Sequence, residues 1–190
     1  MEQSESSELC GKLLIAMPGM GDPRFDKSVV YLCAHSAEGS MGLIVNKPAP
    51  GLKMDDVLQQ LKIQPGEASH GVAVHFGGPV EHGRGFVLHS GDYLISESTL
   101  KVDDRFAMTA TLDILADMAR GGGPRKSILA LGYAGWGPGQ LDSEIHRNGW
   151  LTCDARPEIV FDADDDGKWR AALATLGIDP LLLSAEAGRA

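Results

Sequence analysis

Segment 132–148 gathers the side chains best suited to hold a small molecule. An apolar run ends in Gly132-Tyr133-Ala134-Gly135-Trp136-Gly137-Pro138-Gly139. It leads into a stretch of helical spacing on which Gln140 and Glu144 are i,i+4 neighbours, while Leu141 and Ile145 form the inward stripe. Free backbone N–H groups at a helix start, an indole, an amide and a carboxylate would together recognise a small polar or anionic ligand. The same residues have a purely structural account. Glycines permit a tight strand-to-helix turn, Trp136 covers the edge of the core, and Gln140 and Glu144 lie on a solvated helix face. Asn46-Lys47-Pro48 and Gly77-Gly78-Pro79 end strands and could border the same cleft, with the prolines fixing turn geometry. Arg84 would bind an anion or pair with a carboxylate, the second being the commoner fate. With His89, these residues make up the candidate binding set: Asn46, Gly77, Gly78, Arg84, His89, Trp136, Gln140 and Glu144.

The signatures of several familiar chemistries fail. Gly19-Met20-Gly21 follows a strand, where a dinucleotide-binding turn would begin, but Arg24 stands at the third glycine position and Asp22-Pro23 opens no long helix. No phosphate-cradling G-x-x-x-x-G-K-[ST] occurs, nor a G-x-S-x-G elbow, nor His-Glu-x-x-His. Asp162, Asp164, Asp166 and Gly167 match the first half of a calcium loop, but Leu173 occupies the place of the bidentate Glu, and a strand rather than a helix precedes it. An acidic turn with Asp166 capping the last helix accounts for the pattern. His70, His75, His82 and His89 fall in one hairpin-like region. Their spacing sets no two on adjacent helical turns, and strand alternation sends His75 toward solvent or a sheet edge. No metal and no cofactor is expected. A hydrolase would draw its general base from His35, His89 or Glu144, but the sequence pairs none of them with a nucleophile.

The elements that must position these groups follow from hydrophobic period and turn signals. Strands are predicted over 12–17, 28–35, 41–46, 72–76, 85–89, 106–109, 128–133, 150–153 and 158–161, the second and third forming a hairpin. Helices are predicted over 54–61, 111–119, 137–147 and 169–176. Val57, Leu58 and Leu61 would face inward on the first, and Leu112, Leu115 and Ala119 on the second. Gly121, Gly177 and Pro138 mark helix ends or beginnings. This irregular order of strands and helices argues for α+β rather than repeated βαβ units.

A chain of 190 residues, 43% hydrophobic and 23% charged, can bury a core without disulfide or metal staples. No repeat, low-complexity stretch or long linker divides it, so a single domain over 1–190 is expected, with frayed ends at 1–9 and 185–190. The acidic start lacks the basic region of a secretory signal, and the run 13–17 is far too short to span a membrane. Three widely spaced cysteines, Cys10, Cys33 and Cys153, suit neither a disulfide framework nor paired zinc ligands. Together these features point to the cytoplasm. The net charge of −9 repels phosphate backbones, and the cluster of Arg120, Arg125 and Lys126 is too small to offset it, so direct nucleic-acid binding is not expected.

Longer motifs carry a resemblance. Leu14-Ile15-Ala16-Met17-Pro18, Phe25, Ser28-Val29-Val30-Tyr31, His35 and Met41-Gly42-Leu43-Ile44-Val45-Asn46-Lys47-Pro48 are similar to the opening of the YqgE/AlgH family. Gly77-Gly78-Pro79-Val80, Arg84-Gly85-Phe86-Val87-Leu88-His89, Leu131-Gly132-Tyr133-Ala134-Gly135-Trp136, Gly139-Gln140-Leu141, Glu144 and Asn148-Gly149-Trp150 continue it in order, so the likeness runs from about 12 to 178. The resemblance implies a bacterial α+β fold, with a mixed, largely antiparallel sheet curled into a partial barrel and three or four flanking helices. Some members bear a transcriptional-regulator label that names no catalytic residue. The expectation is therefore a non-enzymatic binding or regulatory module acting on a protein partner or a small polar ligand. A hydrolase with a His or Glu base and a DNA-binding regulator are the alternatives.

Overall fold

The computed structural model describes residues 8–19 and 21–183. Most of the expected frayed ends, and Met20 of the discarded glycine motif, lie outside the described residues. Among the described residues, nine strands hydrogen-bond into one sheet: β1 (Lys12–Ala16), β2 (Val29–Ser36), β3 (Gly39–Ile44), β4 (Ala73–Phe76), β5 (Val80–Ser90), β6 (Thr99–Lys101), β7 (Phe106–Thr109), β8 (Ser127–Trp136) and β9 (Trp150–Asp154). Their order is β6-β7-β5-β8-β3-β2-β1-β9, all antiparallel, with β4 added in parallel to β8. The sheet curls into a half-barrel flanked by α1 (Met54–Gln60), α2 (Leu112–Ala119), α3 (Gln140–His146) and α4 (Asp165–Thr175). The α+β class and the curled, largely antiparallel sheet are as expected.

Both faces of the sheet are covered, which is why its central strands read as unbroken apolar runs. On the first face Leu13, Ile15, Val29, Tyr31, Leu43 and Phe86 pack beneath Trp169, Ala172 and Leu173 of α4. On the second, Leu14, Val30, Leu32 and Ile44 meet Leu141 of α3, while Val74, Val87 and Leu129 meet α1 and α2. A bulge between Leu32 and Ala34 leaves Cys33 without a cross-strand partner. One extra residue inverts the alternation beyond it, so that Ala34 opposes Met41 and His35 opposes Ser40.

Several expectations are corrected. Residues 158–161 form no strand. They lie in a π-helical turn, Glu158–Asp162, closed by the Ala163 N–H to the Glu158 carbonyl at 2.9 Å. The reason is packing: Ile159 and Val160 both enter the first-face core, and adjacent strand residues would point to opposite faces. α4 begins at Asp165 rather than Trp169, with Asp164 rather than Asp166 at its N-cap position. Its first turn is acidic, which suits the positive end of the helix. On α2 the buried stripe is Ile114, Leu115 and Met118, and Leu112 is 57% exposed. The short edge strand β6 had no apolar run to announce it.

His75 is the largest reversal. It is buried, not at a solvent-facing edge, because β4 is covered on both sides. Its Nε2 donates to Asp165 Oδ1 at 2.8 Å. The same carboxylate lies 3.0 Å from the ammonium of Lys168, which is 2% exposed and also donates to the Val45 carbonyl at 2.7 Å. This polar knot fastens α4 to the sheet. Burial pushes the Lys168 ammonium below its usual value, partly offset by Asp165. Burial alone would raise the Asp165 carboxyl, but the hydrogen bond from His75 and the charges of His75 and Lys168 outweigh it and hold the carboxyl below the usual range.

Asp165→Ala should cost about 2–4 kcal/mol in urea unfolding, because it strands the Lys168 charge, whereas Lys168→Met should cost less. Because the folded-state value of Asp165 is depressed, its contribution is complete above its unfolded value of about 3.9 and disappears as pH falls through the folded one. The acid limb of the stability curve should therefore be shallower in Asp165→Asn.

Candidate functional site

Trp136, Gln140 and Glu144 of segment 132–148 come together in one cluster, and a residue from outside the segment completes the arrangement. β8 runs on to Trp136, and Gly139, with φ 71°, turns the chain into α3. Pro138 therefore precedes the helix instead of occupying its first turn. Leu141 anchors α3 in the second-face core, which leaves Glu144 over the sheet between two indoles. Trp136 Nε1 and Trp150 Nε1 each donate to Glu144 Oε2 at 2.9 Å. Gln140 Nε2 donates to Glu144 Oε1 at 3.2 Å, and Gln140 Oε1 accepts from the Gly137 N–H at 3.0 Å. Four strand spacings separate β8 from β9, so a flat sheet would hold these tryptophans at least about 19 Å apart. Their rings are instead 5.9 Å apart, edge to face, with Phe25 against both.

A cleft of about 740 Å³ opens beside this cluster, walled by Arg24, Phe25, Gln140, Glu144, Arg147 and Asn148. Its floor is aromatic and its rim carries both signs of charge. Arg24, one of the lining residues, is paired with Asp22 through contacts of 2.8–3.2 Å. The volume falls in the range of small-molecule sites.

The other candidates sit elsewhere and are occupied. Asn46 joins two loops: its Oδ1 accepts from the Val29 N–H and its Nδ2 donates to the Lys27 carbonyl, both at 2.9 Å. Gly77 and Gly78 lie flat against β8, where a Cβ on Gly78 would come within 2.0 Å of the Tyr133 carbonyl carbon. Arg84 stacks over Phe86, 5.0 Å from the ring centre, and lies 3.5 Å from Glu81. His89 is fully buried. Its Nδ1 donates to the Ser90 carbonyl at 2.8 Å, so Nε2 accepts from Thr109 Oγ1 at 2.9 Å. Burial pushes its pKa below the usual value, which suits this neutral tautomer.

The four neighbouring histidines do not converge. His70 pairs with Asp55, His75 with Asp165, His82 packs on Phe76, and His89 is bound as above. Among the described residues, no three His, Cys, Asp or Glu side chains are placed to hold a metal ion. Asp162, from the calcium-like run, pairs with Lys126 at 2.6 Å.

Sequence reasoning missed Arg24, Phe25, Arg147, Asn148 and Trp150 as cleft residues. Trp150 was legible only as the start of a strand, and its meeting with Glu144 depends on the curl of the whole sheet.

A family model described as AlgH-like matches residues 13–181. A UPF0301 protein of Paracoccus denitrificans is 59% identical over 98% of this chain and 99% of its own. One of Ruegeria pomeroyi is 62% identical over 96% and 100%. The solution structure of the AlgH protein from Pseudomonas aeruginosa superposes with a TM-score of 0.78 at 45% identity, over 93% of each chain. A crystal structure from Corynebacterium diphtheriae shares the fold, with a TM-score of 0.73 at 20% identity.

Glu144→Leu should cost about 2–4 kcal/mol in denaturant unfolding, since it leaves two indole N–H groups without their acceptor. Gln140→Ala, at an exposed position, should cost well under half as much.

Proposed function

This chain belongs to the AlgH-like family, and we propose that it is a binding and regulatory module whose ligand is a small polar molecule seated against Glu144. One observation carries this reading: the carboxylate is fixed at the wall of a cleft by three neutral donors, Trp136, Trp150 and Gln140. A carboxylate held by neutral donors is not tied up in an ion pair, and a rigid one loses little entropy when a ligand arrives. Arg147 and Arg24 line the same cleft. The fitting ligand therefore offers a donor to Glu144 and an acceptor to an arginine, as an amino acid or hydroxy acid does.

The regulatory part of the reading is indirect. With a net charge of −9, the chain would influence transcription through its ligand or a partner rather than by gripping DNA. We place the protein in the cytoplasm, a reading supported by three free cysteines, Cys10, Cys33 and Cys153. Among the described residues, no helix is long and apolar enough to cross a membrane.

A thermal-shift screen against amino acids, hydroxy acids, sugars and nucleotides tests the proposal. A true ligand should raise stability by about 2.7 kcal/mol at a hundredfold excess over its Kd. Arg147→Ala should abolish the shift and Gln140→Ala should weaken it. A panel that leaves the folded protein unmoved would overturn the small-ligand reading and transfer the site to a protein partner. Duplex DNA at low salt should not bind; a complex with steep salt dependence would overturn the indirect route.

A further inference from the structure

The hairpin of β2 and β3 carries a group of side chains that the Glu144 cleft does not use. The bulge at Cys33 turns His35 to the second face of the sheet, directly opposite Ser40. There His35 Nδ1 lies 2.5 Å from Ser40 Oγ. The other ring nitrogen, Nε2, is 3.3 Å from Asp142 Oδ1 on α3. An ionised carboxylate only accepts, so pairing with Asp142 would place the proton on Nε2 and leave Nδ1 to accept from the serine hydroxyl. This is the tautomer a general base requires. The imidazole is 3% exposed, while Ser40 keeps partial exposure. From the opposite face of the sheet, Ser40 also borders an opening of about 720 Å³ that is walled on the first face by Met41, Phe86, Met108 and Tyr133.

The sequence offered His35 as a base without a nucleophile; the fold supplies one. We propose that Ser40 is a nucleophile toward activated acyl groups, with His35 as its general base and Asp142 as the positioning residue that orients the imidazole. Nucleophile, base and orienting carboxylate are then each within reach of the next. Ser40 Oγ bonds to the acyl carbon as its proton passes to His35 Nδ1. Collapse of the tetrahedral adduct breaks the bond to the leaving alcohol, which takes that proton. Water, deprotonated by the same nitrogen, then releases the carboxylic acid and restores the serine. This activity is separate from binding at Glu144, and either proposal can fail alone.

The test is labelling of the full chain by a fluorophosphonate, followed by intact mass and peptide mapping. One adduct per chain is expected, on Ser40, absent from Ser40→Ala, and formed about a hundredfold more slowly in His35→Gln. Asp142→Asn should slow labelling, and the conservative Asp142→Glu should recover part of the rate. No adduct on Ser40, or an equal rate in His35→Gln, would overturn the proposal and leave the cluster as a tether between hairpin and helix. Ser40→Cys gives a second reading that does not depend on the stability of His35→Gln. If His35 is the base, iodoacetamide should alkylate the introduced thiol with a profile well below the ordinary value of about 8.5, and an ordinary profile counts against the proposal.

Discussion

The Glu144 carboxylate, shared by two indoles, is the contact on which the shape of this molecule turns. Trp136 ends one strand and Trp150 begins another four places away in the sheet. Each donates 2.9 Å to the same oxygen. Backbone ladders set only neighbouring strands; they leave open how far the sheet rolls. The shared acceptor ties the ends of two distant strands together in the rolled sheet, and Phe25, Trp136 and Trp150 pack against one another beside it. A charged hydrogen-bond acceptor is stronger than a neutral one, which suits a contact that must hold two distant strands. The cleft beside it is thus a by-product of closure that keeps an anchored, ionisable group at its wall.

A second polar contact does comparable work on the opposite face. Lys168 reaches the Val45 carbonyl and shares Asp165 with His75, so the helix that lids the first-face core is attached through charge as well as through Trp169 and Leu173. Trp169 adds a donor to the Ala16 carbonyl at 2.9 Å. Where both faces of a sheet are covered, tryptophan and lysine can satisfy backbone acceptors that the ladders leave free.

This double covering also explains what the sequence could and could not disclose. Most of the strands Val29–Ser36 and Ser127–Trp136 was legible, as 28–35 and 128–133, because strand-length apolar runs rich in β-branched residues and bounded by turns favour a strand, while the extension to Trp136 was not. Alternation, however, tells inside from outside only when one face meets water. His75 and Val74 are adjacent and both buried, so its period pointed the wrong way. At Glu158–Asp162 a short apolar run looked like a strand, and only the demand that Ile159 and Val160 enter one core selects the π turn. For the site, Gln140, Glu144 and Trp136 were visible because they are close in sequence. Trp150, Arg24 and the pairing of His35 with Ser40 arise from tertiary closure and from a bulge, neither of which leaves a local pattern.

The unpaired Cys33 acts as a parity bit for the hairpin. Everything between it and the turn owes its facing to a single surplus residue, so the identity of the side chains there matters less than whether their number is odd or even. Removing one residue from that arm would exchange the two sides wholesale, sending His35 inward among Met41 and its neighbours and presenting Ala34 to α3. A second loss would restore the original facing in a shorter hairpin. Natural variation in this arm should therefore come in steps of two, and substitutions should be far easier to accept than single insertions or deletions.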